Sequence, residues 1–257
     1  TGIMMALVLT KFSVEGPLVL LLILGAILVG LITMFLTGLV NGVVVAYVGV
    51  SPILVTLGTM TLYQGISLKF TQGGTVSGFP EAFYWIGNSN ILGVPVPLIL
   101  FAGIAYITYF LLERTTWGSK VYMIGSNSSA ANFSGINNQK ILLQVYLYSS
   151  LLAGLAALVM ISRYNMAKAT LGSSYLLQSV AASVLGGTRL AGGNGSVKGT
   201  VLGVLVFQAL ATGLNLLGVN KFLVNVAIGG VLIIVLSLNY LQDKEFSFFG
   251  KKVNESA

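Results

Sequence analysis

Between Leu18 and Val48 the chain runs apolar without a single charged side chain. That is longer than the roughly 20 residues a helix needs to cross a bilayer, so the run is expected to tilt, kink or bend at Gly38 to Gly42. Further apolar runs follow at Ile53 to Phe70, Pro95 to Leu112, Lys140 to Ile161, Val201 to Leu217 and Phe222 to Leu241. Charged residues make up 7% of the 257 positions. Soluble domains carry about 25%, so this chain has too few charges to cover a water-facing surface. The sequence predicts an all-α fold, a polytopic transmembrane helix bundle of about six complete spans. Residues 2–10 and 173–185 read as partial or re-entrant pieces. Residues 1–257 read as one transmembrane domain. The chain enters an apolar run at Thr1 rather than Met, so further residues or spans are expected upstream.

Two polar stretches interrupt this pattern. Thr71 to Gly93 holds glycines, Phe83, Tyr84, Trp85 and Asn88 to Asn90, with Glu81 as its one charge. Its aromatics read either as interfacial anchors or as a binding surface. The second stretch, Leu112 to Ile141, carries charge and helix punctuation. Ser128 or Ser129 suits an N-cap, Ala130 to Ser134 a short helix and Gly135 its stop. Taken alone, such an element could also be a turn resting passively on the membrane surface.

The net charge of +7 comes from 13 Lys and Arg against 6 Asp and Glu. These basic residues sit singly in loops, where they orient spans, and no nucleic-acid partner is implied. With Leu112 to Ile141 inside, Arg114, Lys120, Lys140, Arg189, Lys198, Lys244, Lys251 and Lys252 fall inside. Lys11, Lys69, Arg163, Lys168 and Lys221 then fall outside, together with the aromatic loop. The chain has neither cysteine nor histidine, which removes thiol chemistry and the commonest metal ligand, and no metal site or cofactor is expected. No Asp or Glu lies in a span core. Proton-coupled transporters keep such a residue as a relay, so proton coupling is disfavoured, whereas sodium coupling is less excluded.

Gly186 to Thr200 is glycine-rich but lacks the Gly-Lys-Ser/Thr ending of a phosphate-binding loop. It reads as a tight turn with close backbone packing. If ATP drives this protein, another chain must bind it, so no enzyme activity is expected here.

Three ordered stretches resemble the ribose-type ABC importer permeases. The first is Leu39-Val-Asn-Gly-Val-Val-Val-Ala-Tyr-Val-Gly-Val-Ser-Pro-Ile-Leu-Val-Thr-Leu-Gly-Thr. The second, Gly118-Ser-Lys-Val-Tyr-Met-Ile-Gly-Ser-Asn-Ser-Ser-Ala-Ala-Asn-Phe-Ser-Gly-Ile, resembles the family's coupling element. The third is Leu185-Gly-Gly-Thr-Arg-Leu-Ala-Gly-Gly-Asn-Gly-Ser-Val-Lys-Gly-Thr with Gly213-Leu-Asn-Leu-Leu-Gly-Val. Two departures stand out. The family often has charge inside the coupling element, where this chain has Ser128, Ser129 and Asn132. Its Gly-Ile-Asp-Leu-Ser run has no counterpart, since Gly2-Ile3 is followed by Met4-Met5.

The resemblance implies a bacterial plasma (inner) membrane permease domain with a cytoplasmic coupling loop at 113–140. It implies ABC ATP-binding subunits, a second permease subunit in a homo- or heterodimer, and an extracytoplasmic substrate-binding protein. It places docking on Ser126, Asn127, Ser128, Ser129, Ala130, Ala131, Asn132, Phe133, Ser134, Gly135 and Ile136. The implied cargo is a monosaccharide such as ribose, with a nucleoside or a furanosyl signal as the alternative; a sodium-coupled carrier and a passive channel are alternatives of another class. Asn41, Thr56, Thr59, Gln64, Gln178 and Asn215 are uncharged polar groups in apolar segments. They suit either a solute pathway or hydrogen bonds between helices.

Overall fold

The computed structural model describes residues 1–11 and 18–220 and, within 223–237, all but 225, 232 and 236. The chain divides into two compact units, Thr1–Ser173 and Ser174–Ala257.

In the first unit, helices form where apolar runs leave the backbone no partner but itself. They are α1 (Gly2–Lys11), α2 (Leu18–Val43), α3 (Pro52–Thr71), α4 (Glu81–Asn88), α5 (Val96–Arg114), α6 (Thr116–Ser126), α7 (Ser128–Phe133) and α8 (Asn138–Tyr164). The central pair is α2 against α8, with α1 and α4 packed on it. Ile3, Met5, Ala6, Leu9, Ile23, Ala26, Met34, Phe83, Leu158 and Ile161 are buried in its core.

Gly38 to Gly42 lie inside the unbroken α2 and do not end it. The helix runs through these residues and changes only at Val44–Val48, into a single π-helical turn that ends at Gly49 (φ +82°). The glycines serve close packing instead. A Cβ on Gly38 would strike the Ser150 hydroxyl, and one on Gly42 would come within 2.7 Å of Leu143. Small residues let transmembrane helices approach in this way.

The polar stretch after α3 is folded rather than loose. Strand β1 (Val76–Ser77) pairs antiparallel with β4 (Met166–Ala167), and β2 (Asn90–Ile91) with β3 (Val94–Pro95). The second pair turns through Leu92 (φ +52°) and Gly93 (φ +82°), the left-handed pair that a two-residue hairpin requires. Of the aromatics here, Phe83 belongs to the core, whereas Tyr84 and Trp85 are exposed. Ser162, fully buried near the end of α8, holds α4. Its hydroxyl donates to the Phe83 carbonyl at 2.6 Å and accepts from the Gly87 N–H at 2.8 Å.

The second unit holds most of α9 (Ser173–Leu185), all of α10 (Val197–Leu216) and the helical residues beyond 222. Ala181, Ala182, Phe207, Val224 and Ile228 form its core. The glycine-rich turn packs as expected: a Cβ on Gly186 would meet the backbone of Gly199 and Thr200, and one on Gly203 the Ala182 carbonyl.

Among the described residues four helices are long and apolar enough to cross a membrane: Leu18–Val48, Val96–Arg114, Asn138–Tyr164 and Val197–Leu216. Helix α3, with 20 residues, has the length but carries more polar side chains. The expected span at Phe222 to Leu241 lies partly outside the described residues.

Candidate functional site

The loop between α5 and α8 is built from side-chain caps. Thr115 Oγ1 accepts from the Gly118 N–H at 3.4 Å, opening α6. Asn127 Oδ1 accepts from the Ala130 N–H at 3.0 Å, opening α7, and Asn137 Oδ1 from the Lys140 N–H at 3.0 Å, opening α8. The cap of α7 is therefore Asn127 rather than Ser128 or Ser129. Asn caps as well as Ser does, and taking it one residue earlier brings both serines into the helix.

The far end of α7 closes as predicted at Gly135 (φ +80°). The Gly135 N–H donates to the Asn132 carbonyl at 3.0 Å and the Ile136 N–H to the Ala131 carbonyl at 3.1 Å. This paired reach back over the last turn is the Schellman arrangement, which favours glycine at its left-handed position. Asn138 Nδ2 donates to the Ser128 carbonyl at 2.7 Å, tying the start of α7 to the start of α8.

These bonds hold a short helix in one orientation. Ala131 is its inward anchor, 1% exposed, and Phe133 its outward extreme, 93% exposed. Ser126, Asn127, Ser128, Ser129, Ala130, Asn132, Ser134 and Gly135 are exposed, and Ile136 is half-buried. A cavity of about 600 Å³ lies beside them, lined by Asn132, Gly135, Ile136, Asn137, Asn138 and Gln139. The presented surface is thus one aromatic ring among hydroxyls and amides. Burial, with the Glu113 carboxylate adding to it, raises the nearby Tyr122 phenol above its ordinary value and keeps it neutral at physiological pH.

A second feature of the first unit is a cavity of about 620 Å³ walled mainly by α2, α3 and α8. Asn41, Thr56 and Thr59 line it, and the Thr59 hydroxyl lies 2.8 Å from Asn41 Oδ1. Gln64, half-buried on α3, is not among its lining residues. Gln178 and Asn215 belong to the second unit, the first half-buried on α9 and the second exposed near the end of α10.

The cavity also brings in Tyr63, a polar residue of the second apolar run, and Thr33, Thr37, Ser67, Tyr146, Ser149 and Ser150, which reading the sequence had missed. Helical spacing was the available signal. Thr33, Thr37 and Asn41 recur every four residues, and Thr56, Thr59, Tyr63 and Ser67 every three or four, so each set shares one helix face. Several of these hydroxyls spend their proton on their own helix: Thr33 on the Gly30 carbonyl at 2.8 Å, Thr37 on Met34 at 2.9 Å and Ser150 on Leu147 at 2.9 Å. Their oxygens keep lone pairs, so the wall offers acceptors to hydroxyl donors. No Asp, Glu, Lys or Arg side chain lines it. Among the described residues no group of three or more His, Cys, Asp or Glu side chains could hold a metal ion.

Comparison with known proteins bears on the family of the chain. A family profile described as "Branched-chain amino acid transport system / permease component" matches residues 1–236. The ribose import permease protein of Bacillus subtilis (strain 168) is 39% identical over 201 residues, covering 77% of this chain and 62% of that protein. An autoinducer 2 import system permease protein of Yersinia enterocolitica is 36% identical over 207 residues, covering 78% of this chain and 62% of its own length. The ribose import permease protein of Haemophilus influenzae is 37% identical over 245 residues, covering 93% of this chain and 74% of that protein. The chain thus spans 62% of the length of the first two of these relatives. No solved structure matches. With a profile match along nearly its whole length and relatives above 30% identity, the chain belongs to the permease family of branched-chain amino acid transport systems, alongside ribose and autoinducer 2 import permeases.

Proposed function

We propose that this chain is the membrane-spanning subunit of an ATP-binding-cassette importer for a monosaccharide such as ribose. It lies in the bacterial plasma membrane and acts as a single permease domain over residues 1–257, with the loop 113–140 facing the cytoplasm. It has no ATPase activity of its own and pairs with a second permease subunit. ATP-binding subunits supply the energy, and an extracytoplasmic binding protein delivers the solute.

The observation that carries this reading is α7. A six-residue helix, capped at both ends and anchored on a buried Ala131, presents a nearly bare Phe133 as a fixed aromatic contact for a partner. The resemblance puts the ATP-binding subunit there, docking on residues 126–136. Contact through an aromatic ring, hydroxyls and amides replaces the ion pairs frequent in the family.

The cavity supplies the other half. Its wall, free of charged side chains, suits a neutral solute rich in hydroxyls, held by single hydrogen bonds weak enough to release it. Asn41, Thr56 and Thr59 are pathway residues in this reading, with Gln64 a further polar contact of the first unit, and Gln178 and Asn215 are proposed solute contacts within the second unit. Six spans follow if α3 and the segment 222–241 also cross. Two threonines of α3 support its crossing: Thr56 donates to the Pro52 carbonyl at 2.8 Å and Thr61 to Gly58 at 2.8 Å. A hydroxyl bonded to its own helix enters lipid at reduced cost. A furanosyl signal is the second reading, favoured by the autoinducer 2 permease among the relatives.

Proteoliposomes holding the permease, its ATP-binding subunit and its binding protein should take up radiolabelled ribose only with ATP. Uptake driven by a sodium gradient without the ATP-binding subunit would overturn the assignment. Uptake of autoinducer 2 but not ribose would select the second reading.

A further inference from the structure

Helix α8 has two working faces. At 3.6 residues per turn, Gln144 and Tyr148 lie on one stripe. Tyr146, Ser150, Ala153 and Ala157 lie half a turn round, on the stripe that walls the cavity. The cavity stripe has a role in the importer reading. The other face carries a polar and aromatic cluster that neither docking nor the pathway uses.

Three contacts make up that cluster. Trp117 Nε1, in the first turn of α6, donates to Gln144 Oε1 at 3.0 Å. The Trp117 ring meets Tyr148 edge to face, with centroids 6.0 Å apart and planes at 70°. Tyr148 Oη lies 2.7 Å from Thr108 Oγ1 on α5. Thr108 has one proton, and the Ile104 carbonyl at 2.8 Å takes it, so Tyr148 is the donor in that bond. All four side chains are half-buried. At the α5–α6 corner Gly118 packs so tightly on the Leu112 backbone that a Cβ would strike the Leu112 carbonyl.

The geometry has a mechanical consequence. Asn138 already joins α7 to the first turn of α8. The Trp117 bond adds a second tie from α6, and the Tyr148 bond a third from α5. A load on α7 then turns α8 as a strut, because the loop cannot flex independently of it. Without those ties the same load is absorbed in the loop and the cavity wall stays still.

We propose that Trp117 and Gln144, backed by Tyr148 and Thr108, form a brace that converts movement of the docking helix into rotation of the α8 cavity face. These are positioning residues: none lines the cavity, and none lies within 126–136. The proposal rests on the importer reading, and its test keeps the two separable.

The absence of cysteine makes a solute-independent test simple. Ser149, exposed and lining the cavity, becomes the single reporter as Ser149→Cys in the permease assembled with its ATP-binding subunit in nanodiscs. Its labelling rate by a methanethiosulfonate reagent is compared with and without ATP plus vanadate. With the brace intact the nucleotide should change that rate severalfold. Trp117→Phe, which keeps a ring but loses the donor, and Gln144→Leu, which loses the acceptor, should each cut the nucleotide-dependent change by about fivefold, the worth of roughly one net hydrogen bond. The ATP-binding subunit should still co-purify. Gln144→Glu keeps an acceptor and should retain the change.

A response undiminished in both Trp117→Phe and Gln144→Leu would overturn the brace. So would loss of the ATP-binding subunit from them, which would make these residues part of docking, or a response equally lost in Gln144→Glu. Failure of the parent Ser149→Cys protein to retain the subunit or to respond to nucleotide would instead overturn the importer reading, and the brace with it.

Discussion

Ser162 is one hydroxyl in a helix of 27 residues, yet it decides how the loop at 71–93 sits. It gives a hydrogen bond to Phe83 and takes one from Gly87, both away from water. Ser162→Ala should remove two buried hydrogen bonds between α8 and α4, at about 1–3 kcal/mol. Thermal unfolding in detergent should show a lowered Tm; an unchanged Tm would mean that α4 is held by packing alone. Nothing in the sequence marks Ser162 above the chain's other serines, because its importance comes from a partner 79 positions away. Gly87 is silent for the same reason: its Cβ would lie 2.5 Å from the Arg163 nitrogen, a closeness only the fold creates. Asn127 and Gly135 are the opposite case. Caps and left-handed stops depend on residues three or four away, so the sequence displays them, with the cap misplaced by one residue because Asn and Ser compete on equal terms.

At the scale of elements, α7 is the place where local chemistry and function meet. Asn127→Ala should loosen its start by about 1 kcal/mol. Gly135→Val should cost about 1–2 kcal/mol, since a side chain resists the left-handed backbone. Neither change should unfold the protein, because α7 adds little to the buried core. Both should weaken retention of the ATP-binding subunit, and Phe133→Ala more strongly, by about tenfold or more, as loss of a central aromatic anchor does. Co-purification at graded salt would measure this; a Phe133→Ala protein that retains the subunit fully would remove α7 as the docking anchor. The cavity helices were only half legible. The polar stripes of α2 and α3 could be read from their spacing, but that α8 faces them could not. Helical period shows which residues share a face, whereas the partner of that face is set by glycine packing at Gly38, Gly42 and Gly154.

For the molecule as a whole, membrane orientation is the decisive prediction. In the proposed orientation the basic loop 113–140 is expected inside and the aromatic loop outside. On the cysteine-free chain, Phe133→Cys should react with a membrane-impermeant maleimide only from the cytoplasmic side, and Trp85→Cys only from the outside. Both side chains are exposed, so access rather than burial decides the outcome. Labelling of both from one side would remove the six-span orientation. By itself the sequence determined the class of molecule, the long apolar helices, the glycine stop of α7 and the glycine-rich turn. These depend on hydrophobic run length and short-range hydrogen bonding, which act within a few residues. Only the tertiary structure decided that Gly38 and Gly42 pack against α8, that Phe83 is core, which threonines share a cavity, and that Trp117 ties to Gln144. Those outcomes turn on close contact between segments far apart in the chain, where an ångström of helix separation settles which side chains can meet.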